Sequence, residues 1–160
     1  MTGEIVIRPY RTGEPSLVCH LQMALYQRQY GFKGIFEYYL LQGMSAFLHC
    51  PEGGQLWVVE QQGTLVGSIA IVQNGPDSAQ LRWFAVEDAL QGQGIGGQLM
   101  DRALQFCADS GYTKVILWTA DILHAARHLY QKYGFTLVET KENTEWTDRL
   151  LLEEKWERSL

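Results

Sequence analysis

Apolar residues along the chain switch between a two-residue and a 3.6-residue period, and the switches predict its elements. Glu4-Ile5-Val6-Ile7-Arg8 is a short alternating run stopped by Pro9, a first strand. Thr12-Gly13-Glu14-Pro15 has the marks of a helix start: a cap candidate, an acidic first turn and a proline near N1. Leu17, Val18, Leu21, Ala24 and Leu25 then hold helical spacing as far as Gly31. A second helix is predicted from about Phe36 to Leu48, with Phe36, Tyr39, Leu40, Gly43, Met44 and Phe47 on one side. Pro51-Glu52-Gly53-Gly54 ends it. Strands Gln55 to Glu60 and Thr64 to Gln73 follow, joined by a tight turn at Gln61-Gln62-Gly63, and Asn74-Gly75-Pro76-Asp77 is a loop.

The next stretch, Gln80 to Gly97, organises the rest. It opens as a strand through Leu81, Trp83, Phe84, Ala85 and Val86, an aromatic, apolar run too short for a helix. It then breaks into Gln91-Gly92-Gln93-Gly94-Ile95-Gly96-Gly97, and a helical pattern follows at Ile95, Leu99, Met100, Ala103, Phe106 and Cys107. Gly111 closes that helix after Ser110. Lys114 to Thr119 reads as a buried strand. Asp121 is placed to cap a helix from about Ile122 to Tyr133, which Gly134 ends. Phe135-Thr136-Leu137-Val138 and Arg149 to Trp156 are the last two strands. The order β-α-α-β-β-β-α-β-α-β-β predicts one α/β (α+β) domain over residues 1–160, with a mixed sheet of about seven strands.

Composition narrows the function classes. A length of 160 residues suffices for a single good core. A net charge of −5 with no Lys/Arg cluster speaks against a nucleic-acid surface. No run approaches the roughly 18 apolar residues of a membrane span, and Met1-Thr2-Gly3-Glu4 is no signal peptide. Cys19, Cys50 and Cys107 are scattered, as expected in a reducing cytoplasm.

Strand, glycine loop and helix N-terminus in that order make an anion site, because glycine lets the backbone approach a ligand while unpaired N–H groups converge on it. The expected guest is a phosphate or pyrophosphate. A P-loop is excluded, since the loop has no lysine. Gly92-Gln93-Gly94-Ile95-Gly96-Gly97 does satisfy Gly-x-Gly-x-x-Gly, but that dinucleotide fingerprint normally follows the first strand of its domain, and here half the chain precedes it. The third fit is Gln91-x-x-Gly94-x-Gly96, which resembles the Gln/Arg-x-x-Gly-x-Gly/Ala pyrophosphate loop of the GNAT acetyltransferase superfamily. Ala126-Arg127-His128-Leu129-Tyr130-Gln131-Lys132-Tyr133-Gly134-Phe135 matches the superfamily's Ala-x-x-Leu-Tyr-x-x-x-Gly-Phe pattern, and the element order is similar throughout. Leu81 to Val86, Leu117-Trp118-Thr119 and Trp156 look like the acetyltransferase domains fused behind MarR-type regulators. No winged-helix segment is present, so a stand-alone domain is expected.

The resemblance implies an N-acetyltransferase that passes an acetyl group from acetyl-CoA, a co-substrate, directly to a primary amine on a small molecule or peptide, without a metal. It implies that Gln91, Gly92, Gln93, Gly94, Ile95, Gly96 and Gly97 hold the pyrophosphate. The backbone of Phe84, Ala85 and Val86, together with Thr119, Ala126 and Tyr130, would hold the pantetheine end. The Val86 N–H would polarise the acetyl carbonyl, and Tyr130 would return a proton to the leaving thiolate; a phenol near pKa 10 suits that task. Substrate selection would fall to the first two helices, their loop and the final strand pair, a region that Tyr26, Tyr30, Phe32, Phe36, Tyr38 and Tyr39 make aromatic, with Tyr30, Phe32, Glu37, Trp83 and Trp118 as the candidates. No base is assigned: Gln80 stands where some relatives carry Glu, and Glu87 and Glu37 lack motif support. Leu123 replaces an Asn of many relatives, with Asp121 and Thr119 available for part of its polar work. His124 and His128 have metal-ligand spacing without a third ligand nearby, and Cys107 reads as core rather than nucleophile. A non-catalytic acyl-CoA sensor is the alternative. Exposed sheet edges make a homodimer possible.

Overall fold

Strands and helices follow one another in the predicted order. The computed structural model describes residues 3–160, so the first two residues of the Met1-Thr2-Gly3-Glu4 start lie outside it. In chain order the elements are β1 (Ile5–Pro9), α1 (Glu14–Tyr30), α2 (Gly34–His49), β2 (Gln55–Gln61), β3 (Thr64–Gln73), β4 (Ser78–Val86), α3 (Ile95–Asp109), β5 (Lys114–Ala120), α4 (His124–Lys132), β6 (Thr136–Asn143) and β7 (Leu151–Ser159). The strands form one sheet in the order β1-β2-β3-β4-β5-β7-β6, antiparallel except where β4 meets β5.

Helices cover both faces of the sheet, which explains the near-continuous apolar runs of β2 and β3. Leu56, Val58 and Ala70 pack under Val18, Met23, Leu40, Met44 and Phe47 of α1 and α2. Their alternates Trp57, Val59, Ile69 and Ile71 pack under Leu99, Met100, Ala103 and Cys107 of α3. Leu99 and Met100 are both fully buried, each contributing about 2 kcal/mol from lost water contact. The β2–β3 turn is a two-residue hairpin in which Gln62 and Gly63 both have positive φ.

Two helix starts differ from expectation. Thr12 does not cap α1: Gly13 holds the cap position at φ +91°, and the Glu14 carboxylate accepts the Arg11 N–H at 2.6 Å while pairing with Arg8 at 2.7 Å. Asp121 does not cap α4, which begins at His124. The Asp121 carboxylate instead accepts the Leu152 N–H at 3.1 Å, because β7 lies alongside and offers a donor that no local pattern reveals.

Candidate active site

The sheet parts at its centre. Parallel pairing of β4 with β5 is confined to Ser78–Gln80 against Lys114–Ile116, whereas β5 stays paired to β7 along its whole length. From Leu81 onward β4 remains with β3 and diverges from β5, leaving a cavity of about 460 Å³ between them. A bulge accompanies the divergence: pairing passes from Arg82↔Ala70 to Ala85↔Ser68, so Trp83 and Phe84 together oppose Ile69. Trp83 takes φ +48°, a conformation costing a non-glycine residue about 1–2 kcal/mol. Buried Ser68 holds it there, its hydroxyl donating to the Trp83 carbonyl at 2.6 Å, with the Gln22 amide 3.5 Å from the same hydroxyl. Trp83 thereby joins Arg82 on the α1–α2 side, while Phe84 turns toward α3 and α4.

At the end of β4 the Glu87 N–H donates to the Val66 carbonyl on the β3 side at 2.8 Å. Strand alternation therefore directs the N–H and C=O of Val86 away from β3 and into the gap. The Val86 carbonyl accepts the Gln91 side-chain amide at 3.2 Å, which folds the glycine loop back onto the strand. Gly92 and Gly94 both lie in the left-handed region, at φ +81° and +79°. α3 starts after Gly94 with no side-chain cap and no acid in its first turn, and its first intrahelical bond is from the Gln98 N–H to the Gly94 carbonyl. The N–H groups of Ile95, Gly96 and Gly97 consequently have no intrahelical partner. A Cβ on Gly96 would meet Phe84 and Leu129 at 3.4 Å, so the strand, α3 and α4 converge there.

Tyr130 is the one buried residue of α4. Its ring lies 6.2 Å from Phe84, 6.0 Å from Phe135 and 6.4 Å from Trp156. Burial pushes its phenol well above the ordinary tyrosine range, with a smaller push from Tyr26 across the cavity. A second anchor for α4 is ionic. Arg127 Nε donates to the Glu154 carboxylate at 2.8 Å, and the Trp156 indole N–H donates to the same oxygen at 3.2 Å.

Phe84, Thr119, Ala126, Tyr130, Phe32, Trp83 and Trp118 all line the cavity, with Gln80 and Leu123 beside them. Ala85 and Val86 continue the strand at its edge, and Gln91 to Gly97 form the loop beyond. Two expected substrate residues fall elsewhere. Tyr30 packs behind Tyr26 and Phe32 at 6.1 and 6.0 Å, and Glu37 is exposed on α2; neither lines the cavity. Glu87 lies 3.4 Å from Arg28 rather than in the cavity. His124 and His128 are exposed, and among the described residues no three His, Cys, Asp or Glu side chains converge as a metal site. Burial in the core pushes the Cys107 thiol up to about 12.

Tyr26 of the expected aromatic region lines the cavity too, and so does the expected final strand pair, but its individual residues were not foreseen. Lys141, Asn143, Glu145, Trp146 and Glu153 come from the end of β6, the β6–β7 turn and β7, and Arg82 comes from β4. The turn is tied across the α1–α2 loop by the Lys33 N–H, which donates to the Trp146 carbonyl at 2.7 Å. The Asn143 side-chain Oδ1 accepts the N–H groups of Glu145 and Trp146 at 2.9 and 3.1 Å. That Asx turn is the one local signal that could have marked the segment. Trp146 then packs 5.0 Å from Phe36 and 5.7 Å from Phe32. The whole combines backbone donors facing a gap, a phenol, aromatic walls and an uncapped helix start, a set suited to acyl transfer from a phosphate-bearing donor.

A family model described as the acetyltransferase (GNAT) family matches residues 19–135. N-acetyltransferase family 8 member 2 of Rattus norvegicus is 38% identical over 87 residues, 51% of this chain and 38% of that protein. N-acetylaspartate synthetase of Danio rerio is 33% identical over 103 residues, 63% of this chain and 36% of that protein. The chain spans about two fifths of the length of such curated relatives. Among solved structures, a GNAT-family acetyltransferase from Staphylococcus aureus superposes with a TM-score of 0.80 at 17% identity, covering 98% of this chain and 99% of that one. The Salmonella typhimurium protein yncA, solved with its cofactor acetyl-CoA, gives 0.76 at 15% identity over 99% and 95%. At these identities the structural likeness speaks to the fold.

Proposed function

The chain belongs to the GNAT acetyltransferase family, and on that footing we propose that it transfers an acetyl group from acetyl-CoA directly to a primary amine. The observation that carries the reading is the parting of β4 from β5 beside an uncapped, glycine-led helix start. The residues present fit the co-substrate: the loop Gln91 to Gly97 with the free N–H groups of α3 would take the pyrophosphate, and Phe84 to Val86, Thr119 and Ala126 would border the pantetheine. Bound acetyl-CoA supplies an activated acyl group as a thioester.

The chain's own residues supply the rest. The Val86 N–H, turned into the gap, is available to a carbonyl oxygen on which negative charge grows. Tyr130 keeps its proton throughout the neutral range, because its buried phenol titrates far above it, and so serves as a donor to a departing thiolate. Gln80 lines the cavity and cannot accept a proton as a carboxylate would, so no base is assigned; the carboxylates of the lining are Glu145 and Glu153, and water or an amine that arrives neutral would serve equally. Phe32, Trp83 and Trp118 form walls for the acceptor; Tyr30 and Glu37 stand outside the lining.

The proposal extends to one cytoplasmic domain that engages neither nucleic acid nor membrane. A net charge of −5 supports this, and no helix among the described residues is long and apolar enough to cross a membrane. Kinship with acetyltransferase domains fused to MarR-type regulators belongs to the same reading and rests on Leu81 to Val86, Leu117-Trp118-Thr119 and Trp156. A homodimer through the outer strands β1 or β6 is open to light scattering.

The test is a thermal-shift titration with acetyl-CoA, NADH and ATP in parallel, followed by acetyl-CoA consumption over an amine panel that includes aspartate. Acetyl-CoA at a hundred times its Kd stabilises the fold by about 2.7 kcal/mol. A shift with acetyl-CoA alone and consumption with some amine are expected. A shift without any consumption favours an acyl-CoA sensor, and no shift overturns the site.

A further inference from the structure

Building on the acetyl-transfer reading, we infer that the acceptor amine also carries a carboxylate and that Arg82 binds it. Arg82, still in regular register opposite Ala70, reaches the α1–α2 side of β4 by strand alternation, the bulge that follows sets Trp83 on the same side, and Arg82 lines the cavity in the parted sheet. One face of its planar guanidinium lies against α2 at Gly43, where an added Cβ would come within 2.7 Å of Nη2. The Trp83 ring lies 4.9 Å from the guanidinium carbon. Stacked in this way, the group is oriented with its N–H edge free, the arrangement that favours a two-pronged bond to a carboxylate.

Among the described residues that edge has no acceptor. Arg8, Arg28 and Arg127 pair with carboxylates, Arg158 donates to the Tyr133 carbonyl, and Arg11, Arg102 and Arg149 are exposed to water. Arg82 is half-buried with neither carboxylate nor carbonyl to satisfy it. Burial lowers its pKa, opposed only by the Cys19 thiol, as expected where no anion is close. The adjacent Trp83 indole N–H is also buried without an acceptor, so this wall has an excess of donors. A half-buried guanidinium left unpaired costs free energy that an anionic ligand recovers.

The acids of the cavity stand apart from it. Glu153 takes the Asn143 amide at 3.1 Å and Lys141 at 3.8 Å, and Glu145 takes the Tyr39 hydroxyl at 3.4 Å. Positive charge on the β4 wall and negative charge on the β6–β7 side suit a ligand with a carboxylate at one end and an ammonium at the other. The aromatic rings between them suit its apolar body.

The test is calorimetric titration of the chain saturated with coenzyme A, using three matched pairs: L-phenylalanine and 2-phenylethylamine, L-leucine and 3-methylbutylamine, L-serine and ethanolamine. In at least one pair the amino acid should bind at least about tenfold more tightly than its decarboxylated amine, as a charge-assisted, two-pronged bond requires. Arg82→Met should reduce that preference to within about twofold, and Arg82→Lys should keep part of it. Equal binding within every pair, a preference that survives Arg82→Met, or no binding by any amino acid overturns the inference. If the methionine variant fails to fold, Arg82→Lys carries the comparison, since retention of the full preference there equally overturns it. A parallel acetyl-CoA melting shift separates the two levels: present without a carboxylate preference, it removes only the inference; absent from the unaltered chain, it removes the acetyl-transfer reading.

Discussion

α4 carries Tyr130 into the cavity but buries little else, so the pair Arg127–Glu154 is the contact whose loss should matter most to its position. Glu154 is 3% exposed, while the Arg127 side chain is 33% exposed. Removing one partner of a fully buried pair costs about 3–5 kcal/mol. Two features reduce that here: water can reach the place Arg127 leaves, and the Trp156 indole N–H still bonds the stranded carboxylate. For Arg127→Met we therefore expect a loss of about 2 kcal/mol, or roughly 4–8 °C in Tm for a chain of this size. Glu154→Gln keeps an acceptor for Trp156 and leaves the arginine to solvent, so its cost should be about 1 kcal/mol. The double variant should then be more stable than Arg127→Met alone, because no charge is left buried without a partner. Urea denaturation of the four proteins at neutral pH measures the cycle, and turnover should fall more than acetyl-CoA affinity in Arg127→Met as the phenol loses its placement. A double variant less stable than Arg127→Met, or an Arg127→Met within about 0.5 kcal/mol of the parent, would refute this account.

Four further outcomes follow from the same geometry. Tyr130→Phe should lower kcat by about 10²-fold or more while leaving acetyl-CoA affinity nearly intact, measured by single-turnover kinetics and thermal shift. Since the phenols of Tyr26 and Tyr130 are held well above 10 in the fold but titrate near 10 when unfolded, stability should be full below that pH and fall as pH rises past it; urea midpoints at pH 8 and 10.5 check the sign. Gly94→Ala should cost about 1 kcal/mol through backbone strain alone, since the new Cβ would meet nothing, and should weaken acetyl-CoA binding in a thermal-shift titration. Ser68→Ala should cost about 1–3 kcal/mol by stranding the Trp83 carbonyl, and amide exchange at β4 should quicken; unchanged exchange would mean the bulge holds without the hydroxyl.

Local rules made most of the fold legible. Period-2 and period-3.6 patterns, with short apolar runs for β4 and β5, identified the strands and helices in order, although β6 runs on to Asn143, past the expected end at Val138. The glycine loop stood out because few other arrangements need Gly92 and Gly94 beside a helix start. The misplaced helix starts, at Thr12 and Asp121, share one cause: each side chain had a plausible local partner, and a different, distant one prevailed. Tertiary structure alone decided the rest. The parting of β4 from β5 comes with a bulge that Trp83 would not adopt unaided and that Ser68 and Gln22, from other elements, hold in place. No acid from another element pairs with Arg82, and the β6–β7 turn brings Glu145 and Trp146 over α1 and α2 from a stretch with no apolar period of its own. A chain encodes which residues lie near one another along an element; which charges go unpaired depends on what arrives from elsewhere, and only the assembled fold determines that.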